Sequence, residues 1–114
     1  MLRPSRRLLR LFPLALLLAL SSCAGRLLSR AREAERVGAH YEAERLYKEL
    51  YKSTPTKERK RRALYSLHAA EAAYRGRRYA TARALLQRAQ RLHLPDSLLR
   101  KSKLYTTLST EALR

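Results

Sequence analysis

The chain has little glycine, little acid, one cysteine and no tryptophan, and each shortage removes a class of protein. Three glycines in 114 residues leave no glycine-rich loop to cradle a phosphate and no nucleophile elbow. A single cysteine, Cys23, excludes an internal disulfide. The one aspartate, Asp96, sits where a helix cap is expected, and His40, His68 and His93 lack the short spacings of a zinc site. The chain is read as a non-enzyme without metal or dissociable cofactor. Uncharged apolar stretches are short as well: Leu11 to Leu20 is about half the roughly 20 residues that cross a bilayer.

What the chain has in excess is positive charge, 26 Lys and Arg against nine acids, for a formal +17. Arg3, Arg6, Arg7 and Arg10 precede the Leu11 to Leu20 stretch with no acid among them, the n-region and h-region of a secretory signal. The small residues that follow lead straight into the cysteine. Leu20-Ser21-Ser22-Cys23 resembles the lipobox of bacterial lipoproteins. That resemblance implies residues 1–22 as a cleaved signal peptide, 23–26 as a lipidated tether, and Cys23 as the acylated residue, carrying diacylglycerol and an N-terminal fatty acid such as palmitate. Two or three chains give stable anchoring where one is marginal. Ala24 stands where an aspartate would resemble the inner-membrane retention signal, which favours the outer membrane.

Loss of residues 1–22 removes four arginines and takes +17 to +13. The rest is uneven: Cys23 to Glu58 holds eight basic residues and six glutamates, Arg59 to Arg114 fourteen basic and three acidic. Such a charge steers acidic partners and lipid phosphates in a salt-dependent way. Nucleic acid is the standard alternative, and an export signal argues against it.

Beyond the anchor the pattern is helical throughout, with breakers at Gly38, Ser53-Thr54-Pro55, Gly76 and Pro95-Asp96. Five segments follow: Leu27 to Val37, His40 to Lys52, Thr56 to Arg75, Tyr79 to Leu92, and Asp96 to about Ala112. Thr54 or Thr56 is the expected cap of the third helix, and Asp96 or Ser97 that of the fifth. Leu98, Leu104, Tyr105, Leu108 and Ala112 read as the apolar side of the fifth, which either caps the array or receives a partner helix. The short connections predict antiparallel helical hairpins.

The hairpins repeat. "YEAERLYKELYKSTP" (Tyr41 to Pro55) and "YATARALLQRAQRLHLP" (Tyr79 to Pro95) share a leading tyrosine, an early alanine and a closing proline, and Ala43 to Ala82 spans 39 residues. Ala31 with Ala34, and Ala70 with Ala73, mark small positions where paired helices approach. These segments resemble tetratricopeptide (TPR) repeats, implying an all-α fold over 27–114: two TPR-like repeats plus a capping helix. The run from Tyr41 to Ser97, with Tyr-Glu-Ala-x-x-x-Tyr at 41–47, Lys-Glu-Arg-Lys at 57–60, Ala-Glu-x-x-Tyr-Arg at 70–75 and Leu-Pro-Asp-Ser at 94–97, resembles the amino-terminal TPR region of large Bacteroidetes outer-membrane lipoproteins. In that group TPRs precede a propeller and an OmpA-like domain, and members are associated with type IX secretion and gliding. Neither later domain occurs here, so peptidoglycan binding is not carried over, and both a short paralogue and a leading segment stay open.

The expected function is a membrane-anchored TPR scaffold or adaptor for protein–protein interaction in a bacterial envelope complex, facing the periplasm, without nucleic acid or metal. The alternative is a small basic lipoprotein binding anionic lipid or cell-wall polymer. Candidate partner-binding residues are Lys57, Arg59, Lys60, Arg61, Arg62, Tyr65, Arg75, Arg77 and Arg78, with Tyr65 and basic residues of the third helix facing the groove; a solvated face is the competing reading of the two basic groups. Glu33, Glu35, Glu42, Glu44 and Glu49 read as a solvated face with local pairs such as Glu44 with Lys48. The tyrosines read mainly as packing between helices.

Overall fold

The computed structural model describes residues 24–114, which form five α-helices joined by short turns, with no strand among the described residues. They are α1 (24–36), α2 (His40–Ser53), α3 (Arg59–Arg75), α4 (Tyr79–Arg91) and α5 (Asp96–Ala112). Neighbours pack in order, α2 on α3, α3 on α4 and α4 on α5, as antiparallel hairpins. Residues 1–23, which include the expected signal segment and Cys23, lie outside the described residues. Residues 24–26, expected as tether, are the first turn of α1: no proline interrupts them, and Ala24 and Arg26 are good helix formers.

Small side chains set how close the helices come. Ala31, Ala63, Ala70, Ala43, Ala82 and Ala89 are fully buried, and Leu46, Tyr47, Leu50, Leu67 and Leu86 fill the spaces between them. The 39-residue offset that relates Ala43 to Ala82 also carries Ala31 to Ala70 and then to Ser109, and Ala63 to Ser102. Both serines are completely buried. Helix α5 is thus the first helix of a third turn of the same repeat, packed through small residues.

That packing keeps Leu98 and Tyr105 of the expected apolar side of α5 against the core and corrects the rest. Leu104 is 58% exposed and Leu108 39%, while Ser102 and Ser109 face the bundle. A close approach selects for size before hydrophobicity. Ser102 meets its polar demand by donating to the Leu99 carbonyl at 2.8 Å and accepting from Gln90 of α4 at 3.2 Å, while the buried Ser109 hydroxyl has no hydrogen-bond partner among the described residues.

The two hairpin turns are built alike. In the first, the Ala39 N–H donates to Ala34 O and Gly38 takes φ +77°; in the second, the Arg78 N–H donates to Ala73 O. Both are six-to-one closures that satisfy orphan carbonyls at a helix end. The left-handed residue of the second turn is Arg77 (φ 63°), not the expected breaker Gly76. A Cβ at Gly76 would lie 3.4 Å from His40 Cβ, at the near edge of ordinary contact.

The expected caps are not used. Helix α3 starts at Arg59 after a turn in which Glu58 N–H donates to Pro55 O, and neither α3 nor α5 has a side-chain cap bond. Thr54 serves the preceding helix, its hydroxyl donating to Leu50 O at 2.7 Å, and Pro55 holds Thr54 itself in extended geometry, while Thr56 and Lys57 form the turn before α3.

Candidate functional site

Successive first helices α1 and α3 enclose a groove of about 500 Å³, lined by Ala24, Leu28, Arg32 and Glu35 from α1 and Arg61, Leu64, Tyr65 and His68 from α3. Tyr47 of α2 forms its floor. The His68 ring stacks on Tyr47 with centroids 4.9 Å apart and planes 20° apart, and Tyr65 lies 6.5 Å from the same ring. Aromatic rings in such offset contacts hold fixed positions at little entropic cost, which suits an anchor pocket. Burial, then the neighbouring Glu35 carboxylate, pushes the Tyr47 phenol above its ordinary range, so it remains a neutral donor. Glu35 Oε1 also lies 3.7 Å from His68 Nδ1. The groove therefore offers two leucines and two tyrosines between the cations Arg32 and Arg61 and one carboxylate, enough to hold an apolar side chain beside a polar or acidic one.

The expected groove residue Tyr65 is in place, and among the expected basic residues of α3 only Arg61 joins it there. Arg62 turns to the other side, where its guanidinium lies 4.2 Å from the Tyr51 ring; Arg88 of α4 lies 3.5 Å from the same ring. Arg88 also donates to Ser66 Oγ, which donates to the Leu85 carbonyl. Burial, with the charges of Arg62 and Arg91, holds the Arg88 guanidinium below the usual arginine range.

Lys57, Arg59, Lys60 and Arg61 line a second, open recess with Glu58 and His93. Arg59 reaches across to donate to the Arg91 carbonyl at 3.1 Å. Arg75, Arg77 and Arg78 sit at the opposite end of α3, so the two basic groups form two patches roughly 25 Å apart at 1.5 Å per residue.

Arg78 is not free for a partner. It donates to both oxygens of Glu44, at 2.8 and 2.6 Å, and Lys48 donates to Glu44 Oε2 at 2.7 Å. Glu44, expected on a solvated face, is 2% exposed. Its neighbours Glu33, Glu42 and Glu49 do make local surface pairs, with Arg36 and Arg45. A second buried carboxylate, Glu71 of α3, lies 2.8 Å from Lys101 of α5, whose ammonium is held above its ordinary range by that contact. Sequence reading missed the Glu44–Arg78 link because 34 residues separate the partners, and the signal available was only that Arg78 follows a hairpin turn.

No helix of the described residues is long and apolar enough to cross a membrane. No family model matches the chain, and neither a curated protein nor a solved structure matches it.

Proposed function

We propose that this protein is a lipid-anchored helical-repeat adaptor whose α1–α3 groove holds a segment of a partner protein in the bacterial envelope. The observation that carries the reading is the convergence of Tyr47, Tyr65, His68, Leu28 and Leu64 on one cavity between successive first helices. Peptides are taken in that place when an aromatic-lined groove between repeats offers anchor pockets and a charged rim. The partner segment would place an aliphatic or aromatic side chain against Tyr65, above the buried Tyr47 ring, and a carboxylate toward Arg32. The anchor at Cys23, the TPR assignment, the periplasmic side of the outer membrane and a link to secretion or gliding rest on the residues quoted for each resemblance.

Two measurements test this. The intact mass of the protein from the membrane fraction should equal residues 23–114 plus acyl groups; an unmodified mass that includes residues 1–22 would sink the anchor. A photo-crosslinking side chain at Tyr65 should then give a discrete adduct that is lost with Arg32→Glu, while the same group at Leu104 gives none. Equal adducts from both positions would remove the groove as the site.

A further inference from the structure

We propose that the basic end of the bundle lies flat on an anionic lipid surface, in the same membrane that holds the N-terminal anchor. The inference rests on the anchored reading of Cys23 and adds the orientation of the domain.

Five helix ends lie at this end: the N-termini of α1, α3 and α5 and the C-termini of α2 and α4, with Asp96 at the start of α5 the one exposed acid there without an ion-pair partner among the described residues. Of these, α2, α3 and α4 are tied there by the guanidiniums of Arg62 and Arg88 over Tyr51 and by the Arg59 bond to the Arg91 carbonyl. The result gathers Lys52, Lys57, Arg59, Lys60 and Arg91 as exposed cations, none with a carboxylate partner among the described residues. The one glutamate in the recess, Glu58, is taken by Arg61 at 3.3 Å. Elsewhere the glutamates are consumed internally: Glu42 and Glu49 on Arg45, Glu44 on Arg78 and Lys48, Glu71 on Lys101. No acid occupies the first turn of α3, so the positive end of the helix dipole adds to the cluster.

The anchor is at this end too. Ala24 and Arg61 line the same cavity, and the residue before Ala24 in the chain is Cys23, one peptide unit or about 3.8 Å away between Cα atoms. Any acyl chains on Cys23 therefore bring the bilayer to the end of the domain that carries the unpaired cations. An open field of long, flexible side chains matches an array of headgroup phosphates rather than one chelated ion. Each basic side chain brought to an anionic surface raises membrane affinity about fivefold, and one fatty chain plus a polybasic patch is a known two-signal arrangement. In this orientation Arg75 and Arg77 point away from the membrane, about 25 Å distant and beyond a Debye length of about 8 Å.

The test uses the full chain reconstituted in vesicles of phosphatidylcholine, with and without phosphatidylglycerol, and labelled with amine- and guanidine-reactive reagents read by mass spectrometry. Lys57, Lys60 and Arg59 should label several-fold more slowly in the anionic vesicles at low salt. Protection should vanish at about 1 M salt, where the Debye length is about 3 Å, and Arg75 and Arg77 should label alike throughout. Equal labelling of Lys57 and Lys60 in both vesicles would overturn the proposal, as would equal protection at Arg77. Protection by a soluble acidic polymer, with none from phosphatidylglycerol, would also overturn it and give this end to a polymer. The vesicles hold the chain by whatever anchors its N-terminal end, so a mass lacking acyl groups would refute lipidation without altering this readout.

Discussion

Toward its C-terminal end α3 lies among carboxylates that have been drawn inside and paired, Glu44 between Lys48 and Arg78, and Glu71 against Lys101. At its N-terminal end Lys57, Arg59 and Lys60 stand in water, and the single nearby glutamate is engaged by Arg61. The same side-chain chemistry is used in two ways. Inside, charges join elements far apart in sequence: Arg78 ties the second turn to α2, and Lys101 ties α5 to α3. Such pairs add little net stability over a well-packed apolar replacement, because desolvation offsets much of the Coulomb gain. Outside, Lys57, Arg59 and Lys60 meet no carboxylate among the described residues, Arg59 making only its exposed bond to the Arg91 carbonyl, and are available to something beyond the chain.

The comparison breaks most sharply at Glu44. Arg78→Met leaves a buried carboxylate with Lys48 alone. Losing a partner from a fully buried pair costs about 3–5 kcal/mol; because the Arg78 side chain is 42% exposed, the expected loss is about 2 kcal/mol. Adding Glu44→Met should restore most of it in urea titrations, since the cost lies in the stranded charge. A double variant as weak as the single one would show that Arg78 acts otherwise. Lys101→Met should cost about 1–2 kcal/mol, as Glu71 loses a half-exposed partner, and the loss should fall on α5. Amide exchange should quicken in α5 and not in α2.

Alkaline pH sharpens the same contrast from the groove side. Tyr47 holds its proton above the ordinary phenol range, chiefly through burial, and Lys101 does so through Glu71. Above about pH 10 the unfolded chain releases protons that the folded chain keeps, so stability is full below that pH and falls as pH rises. The slope is about 1.4 kcal/mol per pH unit per proton. Tyr47→Phe should flatten this limb; an unchanged slope would mean that Tyr47 ionises while folded. Tyr51→Leu is expected to cost about 1 kcal/mol, because the guanidiniums of Arg62 and Arg88 lose the ring face between them. Thermal melts with Tyr51→Phe as the control, which keeps the ring, should separate this from lost packing.

The positions of α2 to α5 were legible because breakers and small residues are local signals. The spacing of Ala31, Ala34, Ala70 and Ala73 marked the close contacts, and Tyr65 was placed in the groove from its helix alone. What was not legible depends on the partner across a gap. Glu44 and Lys48 four residues apart look like any surface pair, and nothing local says that Arg78, 34 residues on, reaches back to the glutamate. Leu104 and Leu108 look like a buried stripe beside Ser102 and Ser109, but distance between axes decided in favour of the serines. The caps failed for a related reason: Thr54 had two helices to serve, and Pro55 gave it to the first.

The smallest expected effect is at the basic end. Lys57→Gln, Arg59→Gln and Lys60→Gln together remove three exposed cations at or just before the first turn of α3, where positive charge opposes the helix dipole. Each such charge is unfavourable by a few tenths of a kcal/mol at low ionic strength, so the triple variant should melt at the same temperature or slightly higher. The gain should disappear at high salt, as screening removes the repulsion already. Arg59 also loses its bond to the Arg91 carbonyl, an exposed contact that contributes little in water. A clear loss of stability would mean that these cations hold the bundle together, and the division between charge used inside and charge displayed outside would fail. Unchanged or improved stability leaves them with no structural work, so that any defect of the triple variant in cells belongs to what they meet outside the chain.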